Sequence, residues 1–155
     1  NLEIDKTIQK NIYFDYFSYT NERKHLIKLN PFVYEIIDWS ANNSIDLAIV
    51  TSKNMNTTSS LVEHFQLKIN SLVTPELTLK GKPDPEPILF AANKFNIDCK
   101  EILFIGDMRT DMLCARNAGC HYLHYNLGYE KLIFQDYGGE INSLLEIKEF
   151  IDYLI

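Results

Sequence analysis

The chain has 155 residues, of which 46% are hydrophobic and 12% aromatic, a composition typical of one globular domain rather than a disordered segment. Its 15 basic and 21 acidic residues give a formal net charge of −6, and no run of basic residues is present. This pattern argues against a surface for nucleic acid or for an anionic membrane.

The cysteines and the apolar runs restrict the cellular setting. Cys99, Cys114 and Cys120 are an odd number without a C-x-x-C pair, which favours reduced thiols over disulfides or a zinc site. The apolar runs are far shorter than the ~20 residues that span a bilayer, and no signal peptide is visible. We therefore expect a cytoplasmic protein. The first residue is Asn1 rather than Met, which is compatible with a processed or cut piece of a longer chain.

An aromatic-rich stretch begins the chain. Ile4, Ile8, Ile12 and Tyr16 recur at four-residue steps, which predicts a helix that packs against another element. Residues 13–16 also suit a short strand, and both interpretations remain open from the pattern alone. A second helix is predicted to begin at Pro31 and to end at Asn42 and Asn43.

Strands and helices then alternate to the end of the chain. Apolar runs predict strands at 46–50, 71–73, 102–105 and 121–125, the last closed by Gly128. Helical patterns fall at 58–65, 87–95, 112–118 before Gly119, and 140–155. Such alternation implies an α/β fold: a mostly parallel sheet with helices on both faces, in a Rossmann-like three-layer sandwich.

Two carboxylates follow the buried strand at 102–105. Asp107 comes directly after Gly106, and Asp111 follows four residues later at the start of a helical pattern, which brings it back toward Asp107. Two oxygen ligands of this kind suit a hard cation such as Mg²⁺. The alternative is that Asp107 only caps the helix and Asp111 is a solvated acid of its first turn.

Two further segments carry candidate anion-binding groups. Thr51 and Ser52 follow the strand at 46–50 and precede a helix, so their hydroxyls and backbone N–H groups form a candidate anion site, although an ordinary Ser/Thr helix cap explains them equally well. Lys82 lies in a loop stiffened by prolines at alternate positions. In a parallel sheet the carboxyl ends of the strands face one crevice, so these groups are expected near Asp107 and Asp111.

The combined set contains hydroxyls, a cation and an acidic pair, which are the parts needed to hold a phosphoryl group during transfer. A nucleophile is missing from it. The same set also occurs in phosphoacceptor signalling domains, but there the paired acids precede the Thr. A dinucleotide-binding fold is disfavoured because the six glycines form no G-x-G-x-x-G motif.

Three segments in order carry a family resemblance: Ile-Val-Thr-Ser-Lys-Asn at 49–54, Gly-Lys-Pro-Asp-Pro-Glu-Pro at 81–87, and Phe-Ile-Gly-Asp-Met-Arg-Thr-Asp with Ala-Arg-Asn-Ala-Gly at 104–119. Together they resemble the haloacid dehalogenase (HAD) superfamily, in particular its phosphoglycolate-phosphatase-like branch. The segments Leu29-Asn-Pro-Phe-Val-Tyr-Glu and Leu127-Gly-Tyr129 also look like that branch, so the resemblance runs from about residue 29 to residue 129.

The resemblance implies a Mg²⁺-dependent phosphatase of a small phosphorylated metabolite. It assigns Thr51 and Ser52 to phosphate binding, Lys82 to neutralising the nucleophile and the phosphoryl charge, and Asp107 with Asp111 to Mg²⁺. It also implies an aspartyl-phosphate intermediate on a D-x-D-x-T strand, and no such motif is present. The dehalogenase branch needs no metal, so the acidic pair favours phosphate chemistry.

Two interpretations of the absent motif compete. In the first, residues 1–25 are the end of a helical cap domain, residues 26–155 form the HAD-like core, and the nucleophile lies upstream. In the second, residues 13–16 are a degenerate first strand with Asp15 in the nucleophile position, where Phe17 replaces the second Asp. The second interpretation describes an inactive HAD-like binding or interaction domain. In either case the family's central strand must be supplied or replaced, because its neighbours would otherwise have unpaired backbone groups.

Overall fold

A computed structural model of the chain describes residues 5–127 and 138–154. Its helices are α1 (Lys6–Glu22), α2 (Val33–Asn42), α3 (Met55–His64), α4 (Glu86–Phe95), α5 (Arg109–Ala118) and α6 (Ile147–Leu154). Its strands are β1 (Ala48–Val50), β2 (Ser71–Val73), β3 (Leu103–Gly106), β4 (His121–Tyr125) and β5 (Glu140–Ile141).

All strand pairs in the described residues are parallel, as the alternation of elements predicts. The strands form two groups, β1 with β2 and β3 with β4 and β5, and no ladder joins the groups within the described residues. On that part of the chain, β1 and β3 therefore each pair along one edge only.

Helices cover both faces of the β3–β4–β5 sheet. Successive strand residues point to opposite sides, so the apolar residues of these strands have to be buried on both faces. On one face, Leu103 and Ile105 pack with residues of α2, β4 and α6. On the other face, Ile102 and Phe104 pack with Ile88 of α4 and with buried residues of α5. This arrangement confirms the α/β Rossmann-like three-layer sandwich.

The first helix decides between the two predictions for residues 13–16, and it differs from the predicted apolar stripe. α1 includes residues 13–16, so the interpretation of this segment as a strand is wrong. The Asp5 carboxylate caps α1 by accepting a hydrogen bond from the N–H of Thr7 at 2.7 Å. Ile8 and Ile12 are 53% and 56% exposed, so these members of the predicted apolar stripe do not pack as expected.

The C-terminal segment differs from the sequence prediction. Residues 140–155 are not one helix, because Glu140–Ile141 forms β5 beside β4 and α6 begins only at Ile147. Ile141 is fully buried in the core, and the Ser143 hydroxyl accepts a hydrogen bond from Leu145 N–H at the start of the next turn. The pairing edge offered by β4 thus outweighs the local helical pattern.

Two other predicted helix bounds agree with the structure. α2 begins two residues after Pro31, and α5 ends before Gly119, whose φ of 74° lies in the left-handed region that glycine tolerates. Gly128 and Tyr129 lie outside the described residues. Within the described part of the chain, no helix combines the length and hydropathy needed to cross a membrane.

Candidate active site

A pocket lies at the carboxyl ends of β1 and β2. Thr51 and Ser52, which follow β1, line it together with Lys82 from the proline-rich loop and Thr74, which follows β2. The structure therefore brings together the three residues that the sequence predicts for phosphate binding. Thr74 was not among the predicted residues, although its place directly after a strand is the same signal that identified Thr51.

Lys82 makes the central contact of the site. Its Nζ lies 2.5 Å from Oδ1 of Asp111 and 3.5 Å from the carbonyl oxygen of Val50, the last residue of β1. The two charged side chains are only 15% and 6% exposed. The ammonium group thus connects the end of β1 with the first turn of α5, which follows β3.

Asp111 is a buried acid, so the alternative of a solvated first-turn carboxylate is wrong. Its Oδ2 accepts a hydrogen bond from the N–H of Met108 at 3.2 Å, at the start of α5, while its Oδ1 receives Lys82. A carboxylate in the first turn also interacts favourably with the helix dipole. Asp107 directly follows β3 and is half-buried, and it takes no part in the Lys82 contacts.

The hydroxyls after β1 are not the cap of α3. That cap is Asn54, whose Oδ1 accepts a hydrogen bond from Thr57 N–H at 2.8 Å, so the helix begins earlier than the predicted residue 58. Thr51 donates its N–H to the carbonyl oxygen of Val73 at 3.0 Å, and its Oγ1 accepts from Lys53 N–H at 3.1 Å. These two hydrogen bonds fix Thr51 where it lines the same pocket as Lys82.

The loop that carries Lys82 is tied to both of its neighbours. The Glu86 carboxylate accepts hydrogen bonds from the N–H groups of Leu79 and Lys80 at 2.8 and 2.9 Å. Asn117 of α5 donates its side-chain N–H to the carbonyl oxygen of Pro83 at 3.0 Å. The predicted stiffness of this loop thus has a hydrogen-bonded component that prolines alone did not indicate.

Gly106 is tightly packed against Asp111. A Cβ at position 106 would lie 2.6 Å from both Cγ and Oδ2 of Asp111, a distance at which one of the two groups has to move. Glycine here lets the α5 carboxylate approach the end of β3 closely. The glycine of the Gly-Asp motif therefore meets a packing requirement in addition to ending the strand.

The acidic pair matches Mg²⁺ in the type and number of its donors. This ion is usually bound through one or two carboxylates, with water and phosphate oxygens completing the octahedron. Asp107 and Asp111 supply two such carboxylates, and the described residues contain no group of three or more His, Cys, Asp or Glu side chains that would hold a metal. Each oxygen of Asp111 accepts a hydrogen bond, and a carboxylate oxygen has a second lone pair with which it can coordinate a cation.

The cysteines are free thiols and poor candidates for a nucleophile. Burial raises the pKa of Cys114 to about 11 and that of Cys120 to about 12, and burial also raises the pKa of Cys99. Because the thiolate is the reactive form, these side chains stay protonated and weakly nucleophilic at neutral pH.

The sequence model of the haloacid dehalogenase-like hydrolases matches residues 2–124. The chain belongs to this family of hydrolases, and the site described above occupies the segments that carry the match.

Within the family, the chain is similar to phosphoglycolate phosphatases. It is 27% identical over 106 residues to phosphoglycolate phosphatase 1 of Pseudomonas aeruginosa, covering 67% of this chain and 39% of that protein. It is 30% identical over 145 residues to the phosphoglycolate phosphatase of Nitrosococcus oceani, covering 88% of this chain and 61% of that protein. The chain thus spans roughly half the length of these relatives.

The fold also matches solved structures. A hydrolase from Pseudomonas syringae superposes with a TM-score of 0.83 at 22% identity, and the match covers 100% of this chain and 76% of that protein. At this level of identity the match supports the fold.

Replacing Lys82 by Met should destabilise the chain by about 3 kcal/mol, because Asp111 would remain buried without its counter-ion. Lys80→Met is the matched control: Lys80 pairs with Asp84 at 3.2 Å, but its side chain is 70% exposed, and such surface pairs contribute ~0–1 kcal/mol. Urea denaturation measures both. Adding Asp111→Asn to Lys82→Met should recover part of the lost stability, because the buried position 111 would then be neutral. Equal stability of Lys82→Met and Lys80→Met would contradict the buried ion pair.

Replacing Gly106 by Ala should lower the free energy of unfolding by about 1–3 kcal/mol, because the methyl group overpacks against Asp111. Gly81→Ala is the control, since a Cβ there meets nothing within 4 Å, and it should stay within about 0.5 kcal/mol of the unaltered chain. Urea denaturation again decides. A neutral Gly106→Ala would show that the end of β3 tolerates a larger separation from α5.

Proposed function

We propose that the chain forms the greater part of the catalytic domain of a Mg²⁺-dependent phosphatase that hydrolyses a small phosphorylated metabolite. The observation that carries this proposal is the buried Lys82–Asp111 pair beside the hydroxyls of Thr51 and Ser52. A cation, two hydroxyls and a carboxylate meet where parallel strands end, and this set matches the charge and hydrogen-bonding needs of a phosphoryl group.

Each residue has a distinct role in this proposal. Thr51 and Ser52 donate hydrogen bonds to phosphoryl oxygens, and Lys82 neutralises the negative charge that develops on the phosphoryl group during transfer. Asp107 and Asp111 hold Mg²⁺, which when bound polarises a phosphoryl oxygen as a Lewis acid. Lys82 lies near enough to the pocket to exchange its contact with Asp111 for one with an incoming anion.

The nucleophile in this proposal is an Asp of a D-x-D-x-T strand outside the 155 residues, and its aspartyl-phosphate is the intermediate. We place that strand between β1 and β3, which each pair along one edge only in the described residues. Thr51 N–H points to β2, so by alternation the backbone groups of Val50 face away from β2. The carbonyl oxygen of Val50 accepts from Lys82, which places the cation next to the edge where the strand would lie.

Asp15 does not suit the nucleophile role. It is exposed on α1, whereas the reaction needs a carboxylate at a strand end beside Lys82. Helical residues 6–22 fit the other interpretation, in which residues 1–25 end a helical cap and residues 26–155 form the core.

The decisive experiment is a phosphate-release assay with Mg²⁺ on the 155-residue chain and on a chain extended upstream through the expected D-x-D-x-T. We expect turnover only in the longer chain, because the shorter one lacks both the nucleophile and the general acid/base. Turnover in the shorter chain that disappears in Asp15→Asn would make Asp15 the nucleophile and overturn the proposal. No turnover in either chain would favour a binding or interaction domain.

Asp107→Asn should weaken Mg²⁺ binding at least about 10-fold, because an amide is a poorer ligand for a hard cation than a carboxylate. Isothermal titration calorimetry with MgCl₂ measures this, and turnover of the longer chain should fall with it. Asp38→Asn is the control, since Asp38 is an exposed acid on α2. Unchanged Mg²⁺ affinity and turnover in Asp107→Asn would remove Asp107 from the site.

A further inference from the structure

Two buried side chains of β4 contact the end of β3 next to Asp107. Tyr122 and His124 are 6% and 1% exposed. The hydroxyl oxygen of Tyr122 lies 3.0 Å from the carbonyl oxygen of Gly106 and 3.2 Å from Nδ1 of His124. Neither side chain has a role in the chemistry proposed above.

The direction of these hydrogen bonds follows from proton counting. A carbonyl oxygen only accepts, so the single proton of the Tyr122 hydroxyl is donated to Gly106. The contact with His124 then requires Nδ1 to carry a proton and to donate it to the Tyr122 oxygen. A directed chain thus runs from His124 through Tyr122 to the backbone of Gly106.

These hydrogen bonds restrain one peptide unit. The carbonyl of Gly106 and the N–H of Asp107 belong to the same planar peptide, so fixing the carbonyl direction also fixes the backbone nitrogen of Asp107. The Asp111 side chain fills the space beside Gly106 that a Cβ would need. The peptide that carries Asp107 is therefore restrained by Tyr122 at the carbonyl and by Asp111 at the glycine.

The Tyr122 side chain packs against apolar residues of the core. It belongs to a hydrophobic cluster that includes Ile88, Met112, Cys114 and Ala115, with Phe104 packed against it. Burying a hydroxyl and an imidazole here costs free energy unless both are hydrogen-bonded, whereas Phe and Leu would fill the same space without that cost. One of these hydrogen bonds joins the Tyr122 hydroxyl to the backbone carbonyl next to Asp107.

We propose that Tyr122 and His124 are positioning residues that fix the Gly106–Asp107 peptide and thereby the backbone position from which the Asp107 carboxylate reaches Mg²⁺. The inference rests on the proposed function, because it takes Asp107 as a metal ligand. Removing a residue that orients a metal ligand without touching the metal typically lowers metal affinity about 10- to 100-fold.

The test compares Tyr122→Phe with Tyr125→Phe in the 155-residue chain. Tyr125 is a buried residue of the same strand that belongs to the core on the other face, so the substitution is identical in size but lies on the face opposite to Tyr122. We expect Tyr122→Phe alone to shift the NMR signals of the Gly106 carbonyl carbon and the Asp107 amide. We also expect about a 10-fold loss of Mg²⁺ affinity in a titration followed by the same signals.

Two His124 variants separate positioning from packing. An Asn amide can present an N–H near the position of Nδ1, whereas Leu fills space without a donor. His124→Asn should therefore keep more of the Mg²⁺ affinity than His124→Leu, even where both lower the melting temperature. Equal Mg²⁺ affinity in the two variants would count against the role of His124.

The remaining outcomes are also decisive. Unchanged Gly106 and Asp107 signals in Tyr122→Phe, or shifted signals with unaltered Mg²⁺ affinity, would overturn the positioning role. Failure of the unaltered chain to bind Mg²⁺ would instead contradict the metal ligands of the proposed function. In that case the Gly106 and Asp107 signals alone decide whether the hydrogen-bond chain fixes this peptide, shifted signals supporting it and unchanged signals refuting it.

Discussion

The buried ion pair between Lys82 and Asp111 links two parts of the sheet that backbone ladders leave separate in the described residues. Removing two charges from water is costly, and their attraction offsets that cost only when further hydrogen bonds satisfy both groups. Here the carbonyl oxygen of Val50 and the N–H of Met108 provide them. The rest of the site depends on this contact, since it fixes the loop after β2 against the first turn of α5.

Local signals were enough to predict most of the elements. A proline near the start of α2 and a glycine after α5 act within a few residues, so their effects are visible in the sequence. The segment 140–155 shows the limit of such signals. Its apolar residues have a helical period, but Ile141 joins a strand because β4 offers it a pairing edge and a buried position. That edge is a tertiary feature, which the periodicity of a segment does not contain.

The sequence was enough to predict which residues lie at the candidate site, but not which contacts they make with one another. A topological rule places the residues after parallel strands at one edge, so Thr51, Lys82 and Asp111 were expected to be neighbours. The pairing of Lys82 with Asp111, and the choice of Asn54 as the cap of α3, depend on side-chain directions that only the packed structure defines. The hydrogen bond of the Tyr122 hydroxyl was missed for the same reason. The sequence pattern predicts a buried aromatic residue at position 122, but it does not indicate the partner of the hydroxyl.

Burial along the sheet relates the proposed mechanism to stability. Residues 122–125 of β4 are buried, whereas all four residues of β3 are only half-buried, although β3 carries the motif that leads to Asp107. β4 has strand partners on both sides and β3 on one, which accounts for the difference in the described residues. A strand paired between β1 and β3 would satisfy backbone groups on both edges and bring its carboxyl end beside Lys82. Under the proposed function, the segment that supplies the nucleophile would therefore also complete the sheet, so that catalysis and much of the stability would depend on one element.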